Sequence, residues 1–136
     1  MIRQKFNKAE RLNKKKIIDQ LFEAGRSFSM FPYKVIWVET KHHEPFPVQI
    51  AFAVPKKNFK RAVDRNLLKR RTREAYRKNK SRLYEAMDEK KIALMLVYIA
   101  KEISDYATIE SKINMVIERL MKEIDLTPTL SKGEGV

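Results

Sequence analysis

Residues 48–54 read VQIAFAV, residues 56–80 read KKNFKRAVDRNLLKRRTREAYRKNK, and residues 92–100 read IALMLVYIA. The first stretch alternates large apolar residues with smaller or polar ones, which is the period of a strand with one buried face. The last is an unbroken apolar run, typical of a buried central strand. Between them, residues 64–79 have helical periodicity, with Asp64 as the expected cap. The three stretches therefore predict a strand–helix–strand crossover within one sheet.

The flanking segments complete an α+β pattern. The sequence NKKKIIDQLFEA (13–24) predicts a first helix, capped by Asn13. Residues 28–40 are rich in β-branched and aromatic residues and predict extended structure that Pro32 interrupts. An apolar stripe at helical spacing predicts another helix over residues 106–124. The expected order is α-β-β-β-α-β-α, with a sheet of about four strands.

Length and composition fit one compact domain. The chain has 136 residues, of which 43% are hydrophobic, so a core of useful size is available. We expect residues 1–12 to form a basic, flexible arm and residues 13–125 to form the folded domain. Residues 126–136 are rich in Gly, Ser and Thr, and we expect a disordered tail there.

Positive charge is concentrated in two blocks. The formal net charge is +13. Residues 1–16 carry +6 and residues 56–82 carry +11, whereas the rest of the chain is slightly negative. Such clustering indicates a binding surface for a polyanion, most often a nucleic acid and less often an anionic membrane surface.

Other classes of protein are disfavoured. The absence of cysteine excludes disulfides, thiolate nucleophiles and Cys-ligated zinc. No window holds 18 consecutive apolar residues, so a transmembrane helix is not expected. The basic N-terminus is not followed by the apolar run of a signal peptide. We therefore expect a cytoplasmic protein without a membrane partner.

The predicted basic helix has two chemically different sides. Its apolar side consists of Leu68, Thr72, Ala75 and Tyr76, continued by Leu83. Its polar side, within an arc of about 100°, consists of Asn66, Lys69, Arg70, Arg73 and Arg77. With the preceding loop, the predicted nucleic-acid-binding residues are Lys56, Lys57, Lys60, Arg61, Arg65, Asn66, Lys69, Arg70, Arg73 and Arg77.

Repulsion between these cations argues for a bound polyanion. Like charges four residues apart destabilise a helix, and Glu74 is the only acidic residue after the expected cap. A merely solvated surface helix usually mixes charges of both signs. Arginine also presents a planar fork that matches phosphate oxygens. The pattern therefore favours a nucleic-acid contact over a solvated face.

The chain lacks the residue clusters of an autonomous nuclease. Its carboxylates are scattered, whereas metal-dependent hydrolysis needs several of them together. The only histidines, His42 and His43, are adjacent in a predicted loop and do not have ligand spacing. We expect no catalytic residue and no metal site in the protein itself.

The stretch AVDRNLLKRRTREAYR (62–77) closely resembles the signature of the bacterial ribonuclease P protein component. That signature runs Ala-Val-x-Arg-Asn-Arg, then x-Lys-Arg, then x-x-Arg. The matching residues are Ala62, Val63, Arg65, Asn66, Lys69, Arg70 and Arg73, while Leu67 replaces the second arginine. RLNKKKIIDQLFEAGRS resembles the family's first helix with its terminating glycine, and IAFAVPKK resembles its strand ending in a lysine pair. The resemblance covers residues 10–124 or so.

The resemblance implies a function and a fold. It implies a protein subunit that binds the catalytic RNA of ribonuclease P, one protein for each RNA, and assists removal of the 5′ leader from precursor tRNA. Catalysis in this family belongs to the RNA, with Mg²⁺ held mainly by RNA and substrate. The family also implies a left-handed βαβ crossover, a sense that is rare in proteins.

The family's leader cleft lies between the first helix and the sheet. By resemblance, Phe22 matches an aromatic that the family uses there, and Ile18 occupies a neighbouring position. Candidates on the sheet side are Tyr33, Trp37, Ala51 and Ala53. Aromatic rings and a basic track are the usual means of holding single-stranded RNA.

Three alternatives remain open from the sequence. A ribosomal or general RNA-binding protein fits the charge and size, but does not require the ordered basic motif. A DNA-binding protein that inserts the helix into a major groove is less consistent with strands on both sides of that helix. An autonomous nuclease lacks the acidic cluster described above.

Overall fold

The computed structural model describes residue 6 and residues 8–40, 46–87 and 89–125. Its elements in chain order are a 3-10 turn at Lys8–Glu10, α1 Lys15–Ala24, β1 Arg26–Met30, β2 Tyr33–Glu39, β3 Val48–Ala53, α2 Ala62–Asn79, α3 Ser81–Met87, β4 Ile92–Tyr98 and α4 Tyr106–Asp125. The predicted tail at 126–136, the arm residues 1–5 and 7, and the histidine pair lie outside the described residues.

The four strands form one mixed sheet in the order β1-β2-β4-β3. β1 pairs antiparallel with β2, and β2 pairs antiparallel with β4. β3 and β4 are parallel neighbours, with Ile50 opposite Leu94. The predicted α+β order and the crossover through the basic helix are therefore confirmed. The left-handed sense of that crossover stays an expectation.

One face of the sheet forms the main core with α2, α3 and α4. The predicted alternation in β3 is correct, because Val48 and Ile50 are fully buried on this face. The apolar stripe of α4 packs on the same side, where Ile113 and Leu120 have no exposed area. β4 is buried on both faces, as its unbroken apolar sequence predicted.

The opposite face of the sheet is covered by α1. Leu21 is buried there, and Ile17 and Ile18 pack around it with Ala51 and Met95. The helix ends at Gly25, whose backbone N–H donates to the carbonyl of Leu21 over 2.9 Å. The predicted leader cleft would lie next to this second, smaller cluster.

The helix starts differ from the predictions. α1 begins at Lys15 after Lys14, rather than being capped by Asn13. α2 begins at Ala62, so Asp64 lies inside its first turn instead of capping it. Neither N-cap residue makes a side-chain capping bond. Packing of the apolar faces therefore sets these starts more strongly than the caps that sequence favoured.

The predicted flexible arm is wrong for residues 8–12. Glu10 is completely buried, Leu12 is 6% exposed, and Arg11 forms a parallel bridge with Ile50 on the outer edge of β3. The cause is a buried ion pair, in which the Lys80 ammonium lies 2.5 Å from the Glu10 carboxylate. We call Phe6 together with residues 8–12 the N-terminal strap. It belongs to the folded domain.

Within the residues that the structure describes, no helix is both long and apolar enough to cross a membrane.

Candidate nucleic-acid interface

The two sides of α2 are arranged as predicted. Its apolar side is buried against the sheet and α4, and consists of Leu68, Thr72, Ala75 and Tyr76. On the outward side, Asn66 and Arg70 are exposed, while Lys69, Arg73 and Arg77 are partly buried. Because the apolar side is fixed in the core, the cationic side has to face solvent.

Arg65 fastens the preceding loop to the start of α2. Its guanidinium Nη1 donates to the carbonyl oxygen of Phe59 over 2.7 Å and to that of Lys60 over 3.0 Å. Phe59 in turn is buried beside Tyr98, with ring centroids 6.0 Å apart. Arg65 therefore holds the lysine-bearing loop in place, in addition to the phosphate contact that the motif predicts for it.

Arg77 is partly neutralised within the helix. Its Nε and Nη2 donate to the two Glu74 carboxylate oxygens over 3.0 and 2.5 Å. This hydrogen-bonded pair lowers the pKa of Glu74 and raises that of Arg77. Arg77 therefore brings less net charge to the surface than Arg70, which has no acidic neighbour of this kind among the described contacts.

The loop before α2 adds exposed cations. Lys56, Lys57 and Lys60 are exposed, and the Arg61 side chain is 76% exposed although it lies 3.9 Å from Asp64. The loop follows β3 directly, so these cations lie at the carboxyl edge of the sheet and extend the basic side of α2.

A groove lies at this edge of the sheet. It encloses about 610 Å³ and is lined by Pro55, Lys57, Asn58, Val97, Ile99 and Lys101. Val97 also packs against the α1-side cluster, so the groove continues the face that α1 covers. The sequence pattern did not predict Val97 and Ile99 as lining residues, because they belong to the apolar run 92–100, which was interpreted as a buried strand. The charged residue Lys101 directly after that run was the signal that this end of the strand reaches the surface.

Four of the six predicted cleft residues lie on the α1 side. Ile18 and Ala51 belong to the cluster under α1, and Ala53 alternates with Phe52 so that it faces the same way. Phe22 lies one helical turn after Ile18 and is 63% exposed. A phenylalanine with this exposure is available for stacking.

The prediction for Tyr33 and Trp37 is wrong. Both lie in the main core on the opposite face, with 1% and 2% of their surface exposed. The Tyr33 hydroxyl is hydrogen-bonded to Thr72 over 2.6 Å, and burial raises its pKa. Side chains alternate along β2, so the residues on the α1 side are Ile36 and Val38.

No group of three or more His, Cys, Asp or Glu side chains within the described ranges could hold a metal ion. Several of the described carboxylates are instead paired with cations, as Glu118 is with Arg82 at 3.3 Å.

Comparison with known proteins agrees with this geometry. A family model described as Ribonuclease P matches residues 6–123. Proteins named ribonuclease P protein component from two Porphyromonas gingivalis strains are 32% identical over 116 residues, which is 84% of this chain and 85% of theirs. One from Chlorobium phaeobacteroides is 43% identical over 86 residues, covering 60% of this chain and 58% of that protein.

Solved structures share the fold. The chain is similar to the ribonuclease P protein of Staphylococcus aureus, with a TM-score of 0.65, 25% identity, and coverage of 83% of this chain and 96% of that one. The protein from Thermotoga maritima gives a TM-score of 0.64 at 23% identity, covering 81% of this chain and 96% of that one.

Proposed function

Because this chain belongs to the family of ribonuclease P protein components, part of a tRNA-processing endoribonuclease, we propose how its surfaces divide the work. The cationic side of α2 binds the RNA subunit of the enzyme. The groove on the α1 side binds the single-stranded 5′ leader of precursor tRNA. Both events occur in the cytoplasm.

The orientation of α2 carries the proposal. Burial of Leu68 and Thr72 at 0% and 3% exposure leaves the helix no freedom to rotate, so its cations face outward together. When such a surface neutralises phosphates, the counterions condensed on the RNA are released, which favours binding to a densely charged RNA. Arg70 is exposed and has no carboxylate partner among the described residues, so it is the strongest single phosphate ligand on this face.

The groove suits a single strand better than a duplex. It combines apolar walls at Val97 and Ile99 with ammonium groups at Lys57 and Lys101. Bases of a single strand can lie on apolar or aromatic walls while lysines follow the backbone phosphates. We assign the exposed Phe22 of α1 to the same leader site, because it matches the family's cleft aromatic.

We assign the chemistry to the RNA subunit, with Mg²⁺ held by that RNA and the substrate. The protein's part is electrostatic and positional. Two polyanions repel each other, and a protein that contacts both lowers the concentration of Mg²⁺ that their association requires.

The experiment is cleavage of precursor tRNA at low Mg²⁺ by a bacterial ribonuclease P RNA, with and without this protein, and by the protein alone. Cleavage at the mature 5′ end only with both components supports the proposal. Salt-dependent RNA binding without any stimulation favours a general RNA-binding protein instead. Cleavage by the protein alone contradicts the assignment of chemistry to RNA.

Charge removal tests the α2 face. The variant Lys60→Gln/Arg70→Gln removes two exposed cations whose charged groups make no hydrogen bond or ion pair within the described residues. We expect weaker RNA-subunit binding and a log–log salt slope that is smaller by about 0.7–0.9 for each lost phosphate contact. The control Lys112→Gln/Lys122→Gln removes the same charge from α4. Equal effects of both variants would show that only net charge matters.

Phe22 tests the groove. Phe22→Ala should weaken binding of precursor tRNA to the assembled enzyme while leaving mature tRNA unaffected, because only the precursor has a leader. The control is Met115→Ala, which removes an apolar side chain that is 42% exposed on α4. Equal losses for precursor and mature tRNA would contradict the leader assignment.

A further inference from the structure

A separate pocket lies between the N-terminal strap, β3 and α2. It encloses about 240 Å³ and is lined by Phe6, Arg11, Leu12, Ile50, Ala51, Phe52, Lys69 and Arg73. This volume is below the roughly 300–1,000 Å³ of sites for drug-sized ligands, so it suits a single planar ring system. Among the described residues, the pocket and the groove at the carboxyl edge of the sheet have no lining residue in common, although Ala51 of the pocket is also a predicted cleft residue.

The pocket has an aromatic wall built by two chain-distant residues. The rings of Phe6 and Phe52 have centroids 5.9 Å apart at an angle of 55°. Tyr76 contacts both rings edge-on from below, at 6.3 and 6.1 Å. Tyr76 is fully buried in the core, which fixes the positions of the two phenylalanines above it.

Guanidinium groups stand over this aromatic wall. Arg11 lies 5.9 Å from the centre of the Phe6 ring, and Arg73 lies 5.9 Å from that of Phe52. Lys69 completes the rim, and none of the described lining residues is acidic. The pocket therefore brings together cations from the two basic blocks of the sequence, at a cost in mutual repulsion.

The partly buried side chain of Arg73 also has a hydrogen-bond donor without an acceptor. Its Nε–H is buried and has no hydrogen-bond partner. A buried donor without an acceptor is destabilising, unless a ligand supplies one. Nucleobases carry acceptor atoms at their edges, present a flat surface that stacks on phenylalanine or arginine, and are joined through the ribose to a phosphate. Each of these features has a counterpart in the pocket.

We propose that this pocket binds one unpaired nucleobase of an RNA, in contact with the rings of Phe6 and Phe52, with the phosphate of that nucleotide held by the cations of the rim. The inference rests on the proposed RNA-binding function and adds a site to it. The source of the base is an unpaired nucleotide of either the RNA subunit or the precursor. The strap is then a part of the binding site, since it supplies Phe6 and Arg11.

The test replaces a phenylalanine by leucine, which is apolar but has no aromatic ring. The control for Phe6→Leu and Phe52→Leu is Phe28→Leu, at the far edge of the sheet. Phe28 is buried and also has a guanidinium over its ring, that of Arg119 at 4.8 Å. Affinity for a bacterial ribonuclease P RNA is measured over a range of salt concentrations. Precursor and mature tRNA binding to the assembled enzyme are measured in parallel.

We expect the pocket variants to lose about five- to 150-fold in affinity, the range of one aromatic–base stacking contact. The salt slope should stay the same, because stacking releases no counterions. A loss with the RNA subunit alone identifies that RNA as the source of the base. A loss confined to the precursor, relative to mature tRNA, identifies the leader.

Three results would contradict the proposal that the pocket binds a nucleobase. The first is a loss no larger than that of Phe28→Leu in either arm. The second is a loss accompanied by a smaller salt slope, which would mean that the rings only hold the cationic surface in place. The third is wild-type protein that does not bind the RNA subunit, which refutes the proposed function as well. Should Phe52→Leu not fold, Phe6→Leu in the strap still decides the question.

Discussion

Replacing Glu10 by glutamine tests how the strap is held. Glu10 is 0% exposed and Lys80 is 1% exposed, and their charged groups are 2.5 Å apart. The Tyr84 hydroxyl donates to the same carboxylate oxygen. The Lys80 ammonium is also 5.2–5.9 Å from the rings of Phe6, Phe46 and Tyr84. The pair is therefore enclosed by aromatic rings and shielded from water.

The magnitude follows from this burial. Glu10→Gln keeps the volume but removes the negative charge that compensates a buried ammonium. Breaking a buried pair on one side costs about 3–5 kcal/mol, because the remaining charge stays desolvated. That is a large part of the roughly 5–15 kcal/mol by which domains are stable. The exposed pair of Arg82 and Glu118 supplies the control, since Glu118→Gln should cost at most about 1 kcal/mol.

Urea unfolding followed by circular dichroism measures both variants. We expect a much lower midpoint for Glu10→Gln and nearly full recovery in Glu10→Gln/Lys80→Met, where neither charged group of the pair is left and the thioether packs on the rings. A loss in Glu10→Gln no larger than that in Glu118→Gln would refute the argument. So would a double variant that is less stable than Glu10→Gln.

Three further outcomes concern stability. Gly25→Ala should cost about 1–3 kcal/mol, because its Cβ would lie 2.3 Å from the Leu21 carbonyl oxygen; an unchanged urea midpoint would contradict this. Leu68→Ala, at a position with 0% exposure, should cost about 2–5 kcal/mol in the same assay, and a loss below 1 kcal/mol would show that the site collapses around the cavity. Burial raises the pKa of Tyr33 and Tyr76, so unfolded chains lose these protons near pH 10 while the native protein keeps them. The free energy of unfolding should therefore be fully retained below about pH 10 and fall above it, with phenolate absorbance of these tyrosines appearing only on unfolding; a flat profile would contradict this.

Periodicity predicted the elements whose burial is regular. The unbroken run in 92–100 correctly predicted that both faces of β4 are covered. The alternation in 48–54 correctly predicted which side chains of β3 face the main core, but not that the other face is covered too, where Gln49 is only 3% exposed. The same reasoning predicted the buried side of α2 from Leu68 to Tyr76. Hydrophobic periodicity does not indicate which face of β2 packs against which helix. The assignment of Tyr33 and Trp37 to the cleft failed for that reason.

Long-range contacts account for the other errors. The strap looked like a basic arm because its docking depends on Lys80, seventy residues away. α3 was missed because seven residues are too few for a period to show, and because Lys80 keeps a helical backbone between α2 and α3. Arg65 could be identified as a binding residue from its motif, but its bonds to Phe59 and Lys60 depend on the loop geometry.

The position of β4 in the sheet has a consequence for synthesis. β4 lies between β2 and β3, so β3 has no strand to pair with until residues 92–98 have been made. The 38 residues between β3 and β4 take about 2–8 s at 5–20 residues per second. During that interval the apolar side of α2 has no finished sheet to cover it. We expect the thirteen cations of residues 56–82 to keep such a nascent chain apart from its neighbours, before any RNA is bound.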